Sequence, residues 1–391
     1  MKRPRRPFAV GPGELSGAVA DLGVLVPLLA ALILVNGIDA TSALVGAGGL
    51  VLLSGLWFRI PWPVQPLKAL TAVAVARHLS ADMIHAAGLL IGVVLLLLAV
   101  RGVADRVAVV FTPTVVRALQ VGVGTLLVLT ALRLVQEPPA LFAATPPTPW
   151  PLLLGLAGVL VVAWAARRGR YLAALVMLAA GVAAVVVMAP PELAGPSLTL
   201  PRLDLPPWDV FGPAFVLLVL PQIPLTFGNA VVAVTDVAHR AFPESGVRVT
   251  PSRVARCEAL GNLFAGAFGG MPMCHGAGGL TAHHRLGART AGMNLVLGTG
   301  LLVLGLFWGA QAPVLLGLLP VWALAAFLAY AGVRHALLAA DLAGVRLVLA
   351  AAAGLAGAAV GNLAVTTVVA LIVDHGLIAA ERRGLLDLSK T

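Results

Sequence analysis

Two stretches decide how this chain is read: Pro61-Trp62-Pro63-Val64-Gln65-Pro66-Leu67-Lys68 and Gly269-Gly270-Met271-Pro272-Met273-Cys274-His275-Gly276-Ala277-Gly278-Gly279. Both are embedded in apolar sequence, and both forbid a continuous helix. Pro61, Pro63 and Pro66 lack an N–H, and each disfavours helix in the residue before it. Extended backbone is expected there, with a helix starting near Pro66, where proline is tolerated in a first turn. The glycine-rich stretch reads the same way, as extended backbone followed by a short helix from about Gly276.

The surrounding composition says what solvent these breaks sit in. Of 391 residues, 60% are hydrophobic and 11% charged, with a mean hydropathy of +1.00. Soluble domains carry about 25% charged residues, and no soluble fold hides this much apolar surface, so the solvent is largely lipid. That excludes a soluble enzyme, a nucleic-acid module and a disordered scaffold. The net charge of +10, from 26 basic against 16 acidic residues, marks cytoplasmic loops in such a chain rather than a nucleic-acid partner. Cys257 and Cys274 give no disulfide framework. The basic start of the chain invites a secretory or twin-arginine reading. The apolar run from Leu15 to Val35 is too long for one and contains Asp21 and Pro27, so a first membrane helix is expected.

At about 20 apolar residues per crossing, breaks at Gly, Pro and charge clusters place fourteen spans. The first seven are near 15–35, 42–58, 64–79, 84–100, 110–132, 149–166 and 171–189. The second seven are near 211–235, 252–268, 275–286, 289–309, 313–339, 343–357 and 359–379. With this count, arginines such as Arg101, Arg106, Arg167, Arg168, Arg382 and Arg383 fall inside, and only Arg77, Arg133 and Arg202 fall outside. That asymmetry puts both termini in the cytoplasm of a plasma (inner) membrane protein. The fold class is then all-α integral membrane, a 7+7 inverted repeat of residues 1–189 and 209–391 joined by an extracytoplasmic linker at 190–208. Spans three and ten are its short, broken members.

Irregular backbone at membrane depth survives only inside protein or beside a watery cavity. Breaks at matching places in inverted halves point to a central binding site. Two short helices aiming their amino termini there converge unpaired N–H groups and positive dipole ends, which suits an anion. Backbone around Val64–Lys68 and Cys274–Gly278 is the expected cradle, with Gly276 and Ala277 in its turn. Gln65, Lys68, Gln222, Thr226 and His275 are the candidate side chains. Asp21, Asn229, Arg117 and Arg289 are candidates for coupling and gating, since ionisable groups inside spans are costly. Each has a plainer reading: Pro-Trp-Pro as a loop, Lys68 snorkelling or paired with a carboxylate, Asn229 as interhelical glue, Arg117 and Asp374 as snorkelling residues near a span end. Glu258 in span nine stays ambiguous. No cofactor or metal site is expected. Gly276–Gly279 lacks the Lys-Ser/Thr pair of a phosphate loop, and the adjacent His283 and His284 cannot share a helix face. An enzyme using Cys274 and His275 is disfavoured, because neighbours on extended backbone point apart.

The stretches Pro63–Ala69 and Gly270–Leu280, the latter continuing through Arg285-Leu286-Gly287-Ala288-Arg289, resemble the type-one molybdate transporter family, a relative of the sulfate permeases. Weaker echoes run in family order: Glu14–Ala18 with Asp21-Leu22-Gly23, Val116–Gln120, and Leu220–Thr226. This chain departs from the family at His283-His284, at Leu67 and at Phe227-Gly228-Asn229. The resemblance implies the uracil/sulfate permease fold, with a core of spans 1–4 and 8–11 and a gate of spans 5–7 and 12–14. It also implies a secondary transporter that imports molybdate by alternating access, and a homodimer paired through the gate. Sulfate or bicarbonate is the alternative substrate, and an anion channel the remote one. Moving a dianion into a negative cell costs about 2.3 kcal/mol per charge per 100 mV, so a co-transported cation, a proton, is expected, with Asp21 and His275 as carriers.

Overall fold

The computed structural model describes residues 7–139, 142 and 150–383; the basic start expected on the cytoplasmic side therefore lies largely outside the described residues. The chain is almost entirely helical. Its first part runs α1 Pro12–Asn36, α2 Ala40–Phe58, strand β1 Gln65–Pro66, α3 Lys68–Ala76, α4 Ala81–Ala99, α5 Val103–Ala108, α6 Pro113–Gln136, α7 Trp150–Arg168 and α8 Tyr171–Met188. The second part begins with one helical run, Trp208–Ala241, containing α9 Phe211–Ala214, α10 Leu220–Leu225 and α11 Val234–Ala241. Then follow α12 Pro251–Ala267, β2 Met273–Cys274, α13 Ala277–Arg285, α14 Gly292–Trp308, α15 Ala312–Gly317, α16 Val321–Ala336, α17 Gly344–Val360 and α18 Leu363–Arg382. Among the described residues ten helices are long and apolar enough to cross a membrane, and α17 is a shorter apolar one.

Helix starts follow their local chemistry. Asp39, Ser80, Thr112, Thr250 and Asn362 each accept a backbone N–H at the first turn of α2, α4, α6, α12 and α18, the groups a helix start leaves unpaired. Proline follows the cap in α6 and α12. The run Trp208–Ala241 holds Pro221 and Pro224, whose missing N–H groups disturb the ordinary ladder. It responds with π-helical turns at Phe215–Val219 and Thr226–Ala233.

The helices pack in two groups. α2 lies against α14 and α4 against α12, with α1 beside α3, α13 and α14; α6 is surrounded by α16, α17 and α18. Lipid offers no hydrophobic drive between helices, so close backbone approach matters. Gly48 meets Gly298 across α2 and α14, and Gly124 meets Gly332 across α6 and α16; a methyl on any of the four would lie 2.5–2.9 Å from the opposite carbonyl oxygen. α7 and α8 bury only 28% and 17% of their apolar windows, as helices on a lipid-facing flank would.

The two broken segments cross. β1 pairs antiparallel with β2, Gln65 opposite Cys274 and Pro66 opposite Met273, and the Leu67 N–H donates to Pro272 O at 3.1 Å. The short helices leave this ladder at Lys68 and Ala277, slightly later than the sequence suggests. Leu67 still serves the ladder, so the first helical turn cannot begin at Pro66.

Candidate functional site

The two short helices begin alike. Leu67 before α3 has φ −64° and ψ 103°, Gly276 before α13 has φ −68° and ψ 126°, and neither start has a side-chain cap. Two nine-residue helices thus present uncapped amino ends beside one ladder, each carrying roughly half a positive charge. One N–H is claimed by a side chain: Leu70 N donates to Gln222 Oε1 at 2.9 Å. Gln222 in turn donates through Nε2 to Thr226 Oγ1 at 2.9 Å.

A buried polar chain runs beneath the ladder. Lys68 Nζ donates to Gln65 Oε1 at 2.8 Å, and Gln65 Nε2 donates to Asp21 Oδ1 at 2.7 Å. The Val64 N–H also donates to Asp21, at 3.3 Å. On the far side His283 Nε2 lies 3.2 Å from Asp21 Oδ2, both side chains fully buried. The amide of Gln65 therefore stands between the ammonium and the carboxylate and separates them.

Above Lys68 lies a cavity of about 320 Å³ whose polar lining is Lys68, Thr130, Arg133, Gln222, Thr226, Asn229 and Cys274. None of its lining residues is acidic. The π-helical turn carries Thr226 and Asn229 to its wall, and the Asn229 side-chain oxygen is buried there without a partner among the described residues. The volume is at the lower end of small-ligand sites, about 300–1,000 Å³.

A family model described as "Molybdate transporter of MFS superfamily" matches residues 13–127 and 214–335, which hold both ladder strands. The chain belongs to the molybdate transporter family. It is 31% identical to Molybdate transporter 2 of Arabidopsis thaliana, covering 84% of this chain and 79% of that one. It is 29% identical to Arabidopsis Molybdate transporter 1, over 84% and 80%, and 31% identical to Molybdate transporter 1 of Chlamydomonas reinhardtii, over 83% of each. Among solved structures it resembles the transmembrane domain of the cyanobacterial bicarbonate transporter BicA, with a TM-score of 0.61 at 17% identity over 90% of this chain and 96% of that one. SLC26A9 matches at 0.54 and 13% identity, over 95% and 65%. The fold is thus that of the sulfate-permease-like transporters, and this family member is a transporter rather than an enzyme.

Within this molybdate transporter family member the residues singled out from sequence separate into groups. Lys68, Gln222, Thr226, Asn229 and Cys274 line the cavity. Gln65 and Val64 lie below it, engaged by Asp21. Gly276 sits at the cap of α13, with Ala277 and Gly278 in its first turn. His275 is absent from the cavity lining. Its Nδ1–H donates to Pro63 O at 3.0 Å, and its ring meets Trp62 and Phe58 edge-on, with centroids 5.6 and 6.2 Å away. Arg289 lies beyond the end of α13 and donates to the carbonyls of His284 and Ala288. Glu258 is fully buried in α12 and makes no side-chain hydrogen bond among the described residues. Among those residues no His, Cys, Asp and Glu cluster could hold a metal.

Arg117 is 1% exposed and anchors an ionic cluster. It reaches Asp341 through Nε at 2.8 Å and Nη2 at 2.9 Å, and Asp236 and Gln120 through Nη1 at 2.7 and 2.8 Å. Arg240 joins the same two carboxylates at 2.9 and 2.6 Å. The cluster ties α6 and the turn after α16 to α11. Asp374 instead accepts from Thr112 Oγ1 at 2.5 Å.

Two asparagines escape a sequence reading. Asn294 on α14 accepts from Trp62 N at 2.9 Å and donates to Trp62 O at 2.7 Å. Asn262 on α12 accepts from Met273 N at 2.9 Å and donates to Met273 O at 2.7 Å. Each broken segment is thus gripped by one primary amide acting as an extra strand partner, which satisfies backbone that lipid would leave unpaired.

Proposed function

We propose that this chain imports molybdate across the plasma membrane by alternating access, the dianion resting in the Lys68–Gln222–Thr226 cavity at the amino ends of α3 and α13. One observation carries the reading: the cavity presents Lys68, Arg133 and amide and hydroxyl groups with no carboxylate in its wall, at the uncapped start of α3, while the segment leading into α13 reaches the wall through Cys274. Such a wall favours a compact anion over a cation or a neutral base. The names of the relatives supply the metal.

The proposed topology has fourteen spans, seven in residues 1–189 and seven in 209–391, the short helices α3 and α13 included, with both termini cytoplasmic. The core and gate groups then move against each other about the cavity. Protons accompany the anion, and Asp21, linked to Lys68 through Gln65, is the carrier favoured over His275, whose Nδ1–H is committed to Pro63. A different oxyanion, sulfate or bicarbonate, is the second reading, because N–H donors and an ammonium do not name the central atom and BicA, a bicarbonate transporter, shares the fold.

The test is uptake of radiolabelled molybdate into proteoliposomes, competed with tungstate, sulfate and bicarbonate. Saturable uptake competed by tungstate well before sulfate is expected. A lost charge-assisted hydrogen bond is worth about 1.5–3 kcal/mol, so Lys68→Gln should weaken substrate binding about 10- to 150-fold. Uptake unchanged in Lys68→Gln would move the site elsewhere, and sulfate competing first would change the substrate.

A further inference from the structure

A second pocket, of about 360 Å³, lies where the end of α7, the start of α8, the end of α13 and the last turns of α16 meet. It shares no lining residue with the central cavity. Four guanidinium groups, Arg167, Arg285, Arg289 and Arg334, and two phenols, Tyr171 and Tyr330, line it, with no acidic residue. Arg167, Arg285 and Arg334 form no ion pair with a carboxylate among the described residues, and the buried Arg334 Nε has no hydrogen-bond partner there. The pocket is built rather than incidental. The Tyr171 ring packs on Gly287, where a methyl would come within 2.6 Å, and Arg289 is held by backbone carbonyls. Like charges gathered at a partly buried place repel each other unless an anion joins them. Planar guanidinium forks flanked by phenol donors match the tetrahedral oxygens of a phosphate.

We infer that this arginine–tyrosine pocket is a binding site for a phosphate-class oxyanion, separate from the transport cavity and bridging α13 to α7, α8 and α16. Its ligand is a phosphate group, carried by an anionic lipid headgroup or free in solution. Val159, Ala163 and Val333 in the wall and the sparsely buried apolar helices α7 and α8 suit the lipid source, as basic pockets between membrane helices do.

The full chain, purified in detergent, is tested with two probes. Phosphatidylglycerol against phosphatidylcholine is read by native mass spectrometry, and inorganic phosphate is read by thermal unfolding. Phosphatidylglycerol is expected to be retained preferentially, with about thirtyfold loss in Arg285→Gln/Arg334→Gln, from the worth of two basic residues near a lipid phosphate. The Lys/Lys double variant should keep part of the binding. If the Gln/Gln variant fails to fold, Arg167→Gln should lower retention about fivefold. A phosphate-dependent stabilisation lost in the same variants assigns the site to the free anion. Neither probe responding to these substitutions would overturn the inference, and since molybdate is not a probe, its failure leaves the transport reading standing.

Discussion

Gly279 offers a sharp test of the ladder geometry. It is the third residue of α13, where intrinsic propensity alone makes alanine better by about 1 kcal/mol. In this fold a methyl at that position would lie 2.6 Å from Gln65 Nε2, 2.6 Å from Pro63 Cβ and 3.1 Å from Asp21 Oδ1. Carbon contacts settle near 3.5–4.0 Å, so the opposite segment must retreat by roughly 1 Å, and the Gln65–Asp21 hydrogen bond is what gives way. Overpacking costs about 1–3 kcal/mol and the charge-assisted bond a further 1.5–3, against the propensity gain. The expected outcome of Gly279→Ala is destabilisation of about 1.5–5 kcal/mol and loss of uptake. Gly49 on α2 has nothing within 4 Å of an added methyl, so Gly49→Ala should leave both unfolding temperature and uptake at or slightly above the parent. Thermal unfolding in detergent and proteoliposome uptake read the pair. A Gly279→Ala protein that transports and melts like the parent would refute the crossing of the two segments.

Other outcomes follow from the same contacts. Asp21→Asn keeps an acceptor for Gln65 but removes the charge, so molybdate exchange should persist while stimulation by an inward proton gradient disappears, as paired exchange and gradient assays would read. Asn294→Asp still accepts from Trp62 N but cannot donate to Trp62 O; it should fall by about 1–3 kcal/mol in stability, as should Asn294→Ala. Arg117→Gln leaves Asp236 and Asp341, 27% and 37% exposed, with Arg240 alone. Solvent softens that loss below the 3–5 kcal/mol of a fully buried pair, and calorimetry should record a smaller drop. An inside-negative potential of 100 mV opposes a dianion by about 4.6 kcal/mol. Uptake without a proton gradient should therefore be suppressed by a potassium diffusion potential and recovered by acidifying the outside.

The broken segments were visible in the sequence because proline and glycine act locally: Pro61, Pro63 and Pro66 cannot sit in a helix interior whatever surrounds them. Helix starts elsewhere follow from equally local chemistry, as at Thr112-Pro113 and Thr250-Pro251. What the sequence could not carry was partnership across distance. Asp21 and His283, or Trp62 and Asn294, are hundreds of residues apart, and an asparagine in an apolar helix looks the same whether it grips a strand or a neighbouring helix. His275 stands out because it follows the break, but its Nδ1–H bond to Pro63 O and its place outside the cavity lining are long-range facts that the sequence does not carry. The π-helical turns that carry Thr226 and Asn229 to the cavity were hidden too, since Pro221 and Pro224 announce a disturbance without saying how the backbone absorbs it.

The ladder pairs Gln65 with Cys274 and Pro66 with Met273, 209 and 207 positions apart, and this bears on how the protein is made. At about 5–20 residues per second, the stretch from Pro61 to Leu67 leaves the ribosome about 10–40 s before its pairing strand exists. Through that interval its peptide groups have neither water nor partner if released into lipid. The first half must therefore wait in the insertion machinery, or in a watery crevice of its own, until the second arrives, and a chain severed between the halves should be recovered only when both pieces are synthesised together.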